Sequence, residues 1–271
     1  MTSIATNTAA IRVQYHGIKN TKIETEAFAR LSSGSRITDA SDDAAGLFIA
    51  SRMKAQISGL ERAVQNSFDG VSLVNSAEAN LNEIRNMVLR MREIAVQMAN
   101  GIYTDTDRSF AQIEIDQLLQ QIDLIAQNAN FNGVALLDGT MQNIGIQTGP
   151  TANERPSIFF KDNTTSGLQI SSVDVTTQAN AKAAMVTLET ALTSISGELS
   201  RAGAYENRFG HTISVLEQTA KATKISRGRI MDADIAAEST KLSKAQVLSQ
   251  ANTAMLAQAN RSNSQILSLF N

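Results

Sequence analysis

The sequence has no cysteine and no tryptophan, only two prolines and two histidines, and 4 % aromatic residues in 271. Without cysteine there is no disulfide, no thiolate nucleophile and no thiolate metal ligand, so a life outside the cell would proceed without covalent staples. Pro150 and Pro156 stand close together, and the absence of any other proline leaves the long stretches on either side free to be helix. His16 and His211 lie on separate predicted helices with no HExxH pair and no clear carboxylate partner. No Gly-rich phosphate loop occurs, and Asp105-Thr-Asp107 and Asp232-Ala-Asp234 lack the Gly and distal Glu of a calcium loop. Asp42-Asp43 fits a helix start more readily than an acid/base pair. The chain is therefore not expected to be an enzyme, nor to hold a cofactor or metal.

Long apolar runs are missing too. None approaches the ~20 residues of a spanning helix, and Ile4, Ile11 and Ile18, seven apart with polar residues between, form a narrow helical stripe and not the apolar block of a secretory signal. No membrane insertion is expected, and export would need a route other than the general secretory one. Net charge is −2, unevenly spread: residues 1–37 carry five Lys/Arg against two Glu, residues 221–271 seven against three acids, and the middle is left at −9. The basic ends lack interleaved aromatics for base stacking, so nucleic acid is not an expected partner.

What is present is heptad periodicity. Met185, Leu188, Leu192, Ile195, Leu199, Ala202, Phe209, Ile213, Leu216 and Ala220 recur in steps of three and four, broken only by Glu206. Such a stripe stays on one side of a helix and demands a partner helix along its whole length. A second stripe runs through Met53, Ile57, Leu60, Val64, Ser67, Val71 and Val74. After one extra three-residue step, the signature of a stammer, it continues through Ala77, Leu81, Ile84, Val88, Met91, Ala95 and Met98. A shorter one (Ala111, Ile115, Leu118, Ile122, Ile125, Ala129) follows the loop at residues 100–109 and is placed to fold back antiparallel. Gly59, Gly70 and Gly203 fall inside these helices, where close helix approach is the expected reason.

Only residues 131–178 read as non-helical. Asn132-Gly133 and Asp138-Gly139 are turn dipeptides, and Ile144/Ile146, Ile158/Phe160, Leu168/Ile170 and Val173/Val175 alternate as strands do. The two ends are helical in period but thinly apolar: Ile4, Ile11, Ile18, Phe28 and Leu31 at one end, and Leu248, Met255 and Leu269, with Ala259 and Ile266 beside them, at the other. A large apolar side chain gives about 1.5–3 kcal/mol on burial, and each ordered backbone residue costs about 1–2 kcal/mol. So few anchors cannot order such long segments, and both ends are expected to need partners. The predicted fold is mainly α: long antiparallel, coiled-coil-like rods with a small β-hairpin region, and terminal helices pairing in a separate inner layer.

Several segments carry a family resemblance. RLSSGSRITDASDDAAG (Arg30–Gly46), LRMREIAVQ (Leu89–Gln97), NFNGVALLDG (Asn130–Gly139), ENRFGHTI (Glu206–Ile213), SRGRIMDADIAAE (Ser226–Glu238), KAQVLSQANTAMLAQAN (Lys244–Asn260) and ILSLF (Ile266–Phe270) resemble the signatures of bacterial flagellin. Many relatives carry additional outer domains; the chain resembles a short form without them. The resemblance implies an inner terminal-helix domain with spacer at residues 1–43 and 226–271, and a rod domain at 44–225 with its β region at about 131–178. It implies a structural subunit that polymerises into the flagellar filament for swimming, exported by the flagellar type III route. The self-assembly residues would be Ile4, Ile11, Ile18, Leu31, Leu248, Met255, Ile266 and Leu269. Implied partners are further copies of the chain, an export chaperone, filament cap and hook-associated proteins, and a host innate immune receptor that would meet Arg90 and Glu114. A hook–filament junction protein of the same fold, a secreted coiled-coil adhesin and an enzyme built into a filament are the alternatives. The Leu31-Ser-Ser-Gly34 spacer and the Leu256–Asn260 segment favour the filament subunit, and an enzyme would need an inserted catalytic domain. The Ser/Thr-rich stretch Thr164–Thr177 is expected to be exposed enough to carry sugars.

Overall fold

The computed structural model describes residues 6–141 and 143–268, the last three by backbone alone. Five helices account for most of the chain: α1 (Thr8–Ser33), α2 (Ala44–Met98), α3 (Asp105–Asn128), α4 (Gln178–Met231) and α5 (Ile235–Ser268). Packing divides it into two compact units, residues 1–55 with 222–271, and residues 56–221, with both divisions falling inside α2 and α4.

Each helix start has a local cause. Asn7 accepts from the Ala10 N–H at 3.0 Å, and Asp43 accepts from Gly46 N–H at 2.8 Å. Thr104 and Asp107 form a reciprocal capping box, Thr177 accepts from Asn180 N–H, and Asp234 accepts from the amides of Ala236 and Ala237. Side-chain oxygens at these positions satisfy backbone donors that have no partner inside the helix. Asp43, Asp107 and Asp234 are thereby accounted for as cap residues. At the far end of α1, Gly34 takes the left-handed conformation (φ 68°) that lets the chain leave the helix.

In the second unit α2, α3 and α4 share one core. Leu73, Val74, Ala77, Leu81, Ile84, Val88 and Met91 from α2 join Ile115 and Ile122 from α3, and Leu188, Ile195 and Phe209 from α4. Gln178, at the start of α4, donates to the Ala99 carbonyl just past the end of α2, and Leu60 and Ala63 of α2 cluster with Leu216 and Ala220 of α4. The two long helices therefore run antiparallel, and α2 passes through the stammer without a break. α3 folds back on α2 around the buried Arg108, whose guanidinium donates to the carbonyls of Met98 and Asn100 and pairs with Asp105 at 2.9 Å. One side chain thus closes the exposed carbonyl end of α2 and begins α3.

The glycines divide. A Cβ on Gly70 would lie 3.2 Å from the Phe209 ring, so that glycine does permit close helix approach. Gly59 meets Pro150 of the loop at 3.3 Å and not another helix, and Gly203 has nothing within 4 Å. The expectation of close helix approach thus holds at Gly70 and fails at Gly59 and Gly203.

The non-helical region holds two antiparallel hairpins, β1 (Asn130–Phe131) with β2 (Val134–Ala135) and β3 (Ile144–Gly145) with β4 (Ser157–Ile158). The first turns on Asn132 and Gly133, both at positive φ, as a two-residue hairpin turn requires. Leu168/Ile170 and Val173/Val175 are buried but form no strand, contrary to their alternation. Their backbone is held by α3 side chains: Asp123 accepts from Thr165 N–H at 2.8 Å, and Gln112 accepts from Val175 N–H and donates to the Val173 carbonyl. Asn163 and Thr165 are buried and the Asn163 amide donates to the Lys161 carbonyl, so the Asn163-Thr164-Thr165 triplet does not present a glycosylation acceptor. Around it Ser166, Ser171, Ser172 and Thr177 remain exposed.

Candidate functional site

In the first unit α1 and α5 lie against each other, and most residues at their seam are small or polar, Val13, Leu242 and Leu256 being the larger apolar ones. On α1 the seam follows Asn7, Ala10, Val13, Gly17, Asn20, Glu24 and Ala27; on α5 it follows Glu238, Leu242, Ala245, Ser249, Asn252, Leu256 and Ala259. Both series step by three and four, so each is a continuous helix face. Asn20 Nδ2 donates across it to the Ala245 carbonyl at 2.6 Å, and Asn7 Nδ2 donates to the Ala259 carbonyl at 3.2 Å and to Asn260 Oδ1 at 3.4 Å. The pairing is antiparallel, because the earlier residue of α1 meets the later residue of α5.

The large apolar residues of the same helices point elsewhere. Ile11 is 55 % exposed, Ile18 67 % and Met255 58 %; Tyr15, Phe28, Val247 and Leu248 are exposed as well. Leu31 is half-buried, and Ile4 and Leu269 fall outside the described residues, as does the side chain of Ile266. The sequence stripe Ile11/Ile18 is therefore not the face α1 turns to α5. Its neighbour, the face of Ala, Gly and Asn, could have been found as a heptad of small residues, but a search for large apolar residues passes over it.

Below the seam the spacer is pinned. Arg36 donates through its backbone N–H to Met231 O and through its guanidinium to Ile230 O, and Ala233 N–H donates to Gly34 O. Arg30 lies 3.7 Å from Asp42 and 3.6 Å from Glu238, and Lys241 reaches Glu238 at 2.7 Å. Hydrogen bonds from the Thr38 N–H and hydroxyl, with that of Asp39, hold the Asp42 carboxyl below its ordinary range.

In the second unit Arg90 on α2 pairs with Glu114 on α3 at 2.9 Å and with Glu93 at 3.3 Å, all three at the surface. Exposed Leu89, Phe110 and Ile113 are their sequence neighbours. Glu206, the one break in the α4 stripe, is half-buried among apolar seam residues. Burial first, and then the charge of Glu78 and a hydrogen bond with it, raise its carboxyl above the ordinary 4.5. The folded chain thus keeps this proton to higher pH than the unfolded chain, so the stability it favours is present in acid and falls as pH rises through the raised value. Glu206→Gln is expected to melt higher than the parent at pH 7, with the difference closing below pH 4.5; thermal melts across that range check it.

Among the described residues no cluster of His, Asp or Glu suits a metal, and no helix is long and apolar enough to cross a membrane. Comparison with known proteins is consistent along nearly the whole chain. The bacterial flagellin N-terminal helical region matches residues 4–142, and the bacterial flagellin C-terminal helical region matches residues 185–270. A flagellar filament core protein of Brachyspira hyodysenteriae is 38 % identical over 262 residues, covering 89 % of this chain and 90 % of that protein. A flagellin of Halalkalibacterium halodurans is 37 % identical over 247 residues, with 90 % and 91 % covered, and one of Bacillus subtilis 34 % over 298, with 97 % and 98 %. The crystal structure of Bacillus cereus flagellin superposes with a TM-score of 0.50 at 32 % identity, over 56 % of this chain and 88 % of that one. A flagellar hook-associated protein of Vibrio parahaemolyticus gives 0.60 over 70 % and 100 %, but at 14 % identity that likeness is one of fold alone.

Proposed function

The chain belongs to the bacterial flagellin family, and from that premise we propose that it is the structural subunit of the extracellular flagellar filament, built by stacking copies through the outer faces of α1 and α5. The observation that carries this reading is the division of labour on the tail helices. Their mutual seam is mostly Ala, Gly, Ser and Asn, with only Val13, Leu242 and Leu256 as larger apolar residues, while Ile11, Ile18, Leu248 and Met255 stay exposed. Apolar side chains left in rows on a helix are stabilised only when another surface covers them, and identical neighbours supply such a surface. Contacts of this head-to-tail kind propagate into a helix of subunits when they do not close into a ring. Polymerisation then consolidates a tail pair that is only weakly held in the isolated chain, and rotation of the resulting tube gives swimming thrust. No catalytic step is part of this role.

Purified protein mixed with filament fragments is expected to extend them into long tubes under electron microscopy, with amide exchange in both tails slowing on incorporation. Rings, short caps or persistent monomers would overturn the proposal. Export in an unfolded state, a chaperone on the C-terminal helix, a cap at the growing tip and hook-associated proteins at the base accompany it.

Arg90 and Glu114 form the proposed contact for a host innate immune receptor, supported by their exposure and by their tie across α2 and α3. Their ion pair is at the surface and contributes little to folding. Arg90→Ala is accordingly expected to keep the parent melting temperature while lowering receptor activation by the monomer. Unchanged activation would dispose of that contact.

A further inference from the structure

We propose that Asn20, assisted by Asn7, is the register key of the tail pair: its side-chain amide selects one antiparallel alignment of α1 against α5 from several that their small-residue faces would otherwise accept. The inference rests on the tail pair being an assembly element, and it names the residue that makes its pairing specific.

A seam on which small residues alternate with Val13, Leu242 and Leu256 at heptad spacing constrains register only weakly. Sliding α5 by seven residues one way moves Leu256 from Ala10 to Gly17, Ser249 from Gly17 to Glu24 and Ala259 from Asn7 to Val13, so side chains of similar kinds exchange places along it. Hydrogen bonding is not forgiving. Asn20 is 6 % exposed, and its Nδ2 reaches the Ala245 carbonyl at 2.6 Å. A helical carbonyl already accepts one backbone bond, and its remaining lone pair can be approached from the side only where the local side chain is short. Ala245 and Ala259 meet that condition, and the two Asn residues stand opposite those two alanines. Shifted one heptad in one direction, Asn20 would face Asn252 and Asn7 would face Ile266; in the other direction they would face Glu238 and Asn252. Only the observed register gives both amides an alanine carbonyl. A buried amide without its bond costs about 1–3 kcal/mol, and a polar residue at a seam position is known to set register at some expense of stability.

The same reasoning accounts for the absence of a larger apolar residue at position 20. Leucine there would hold the pair more tightly in any register, including between tails of different copies before they reach a growing end. Asn20 keeps the pair weak until it is correct.

The natural chain has no cysteine, so paired substitutions report register without background. Val13→Cys with Asn252→Cys reads the observed alignment, since both residues line one groove between α1 and α5. Ala10→Cys with Ser249→Cys reads an alignment about one heptad away. Each pair is oxidised with diamide, which takes up the two thiol hydrogens as the disulfide forms, both in soluble chain and in filaments grown from seeds. With Asn20 present, the first pair is expected to cross-link at least tenfold more than the second. With Asn20→Leu the second pair is expected to rise to a comparable yield, accompanied by disulfide-linked dimers between copies. The proposal is overturned if Asn20→Leu still cross-links through the first pair alone in the soluble chain, a reading that does not require the variant to assemble. A parent chain that never extends seeds would instead overturn the filament reading itself.

Discussion

Ile18→Asp is expected to leave the protein folded and to halt filament growth. Ile18 sits on α1 at 67 % exposure, at the open edge of the groove beside α5, so a carboxylate there remains largely in water in the isolated chain. If a neighbour covers that face in a filament, as proposed, the same carboxylate becomes a buried charge without a partner. Breaking a buried pairing in this way costs about 3–5 kcal/mol, and each 1.4 kcal/mol is a factor of ten in association. The concentration needed for growth should therefore rise roughly 100- to 4,000-fold. Ile18→Ala removes apolar area without adding charge and should give a much smaller rise. Light scattering of seeded growth over a range of subunit concentrations measures both, with thermal melting as the control for folding. Growth of Ile18→Asp at the parent's concentration would show that this face stays in water.

Phe209→Ala is expected to produce the opposite pattern, a damaged fold with the tail surfaces intact. The Phe209 ring is 1 % exposed and lies against Gly70, where a Cβ would come within 3.2 Å, with Ile146 beside it. Truncating a buried phenylalanine costs about 3–5 kcal/mol, and in a unit of this size each kcal/mol moves the melting temperature by about 2–4 °C. A fall of roughly 6–20 °C follows, measured by circular dichroism on the full chain. Gly70→Ala should lower it by less, because the ring can give way by a few tenths of an ångström only at the expense of its other contacts. A change of under 2 °C for Phe209→Ala would mean that the ring is not the wedge between α2 and α4 that its burial indicates.

The rods were the most legible part of the sequence. Leu81, Ile84, Val88 and Met91 on α2 and Leu188, Ile195 and Phe209 on α4 announce a seam by spacing alone, because large apolar residues at steps of three and four have one stable resolution, burial against another helix. The Asn132-Gly133 turn was equally plain, since few residues tolerate positive φ. The loop near Leu168–Val175 was misread for a physical reason: alternation reports which side chains are buried, and the partner of the backbone, here Asp123 and Gln112 across a long sequence gap, leaves no local trace. Glu206 was visible as a break in the stripe, but the opposing Glu78 that raises its carboxyl was not.

By itself, then, the sequence determined that the long helices exist, roughly where they lie, and the family. Period, capping chemistry and composition act over a few residues at a time, and those properties follow from them. Which face α1 offers to α5 was decided only in three dimensions. Ile11 and Ile18 mark the most apolar side of α1, yet the structure sets Asn20, Gly17 and Ala27 against Ala245 and Ser249 and leaves the isoleucines free. Close approach of two backbones with a hydrogen bond between them, and not apolar area, selects that seam; such a choice depends on both helices at once and is written in neither alone.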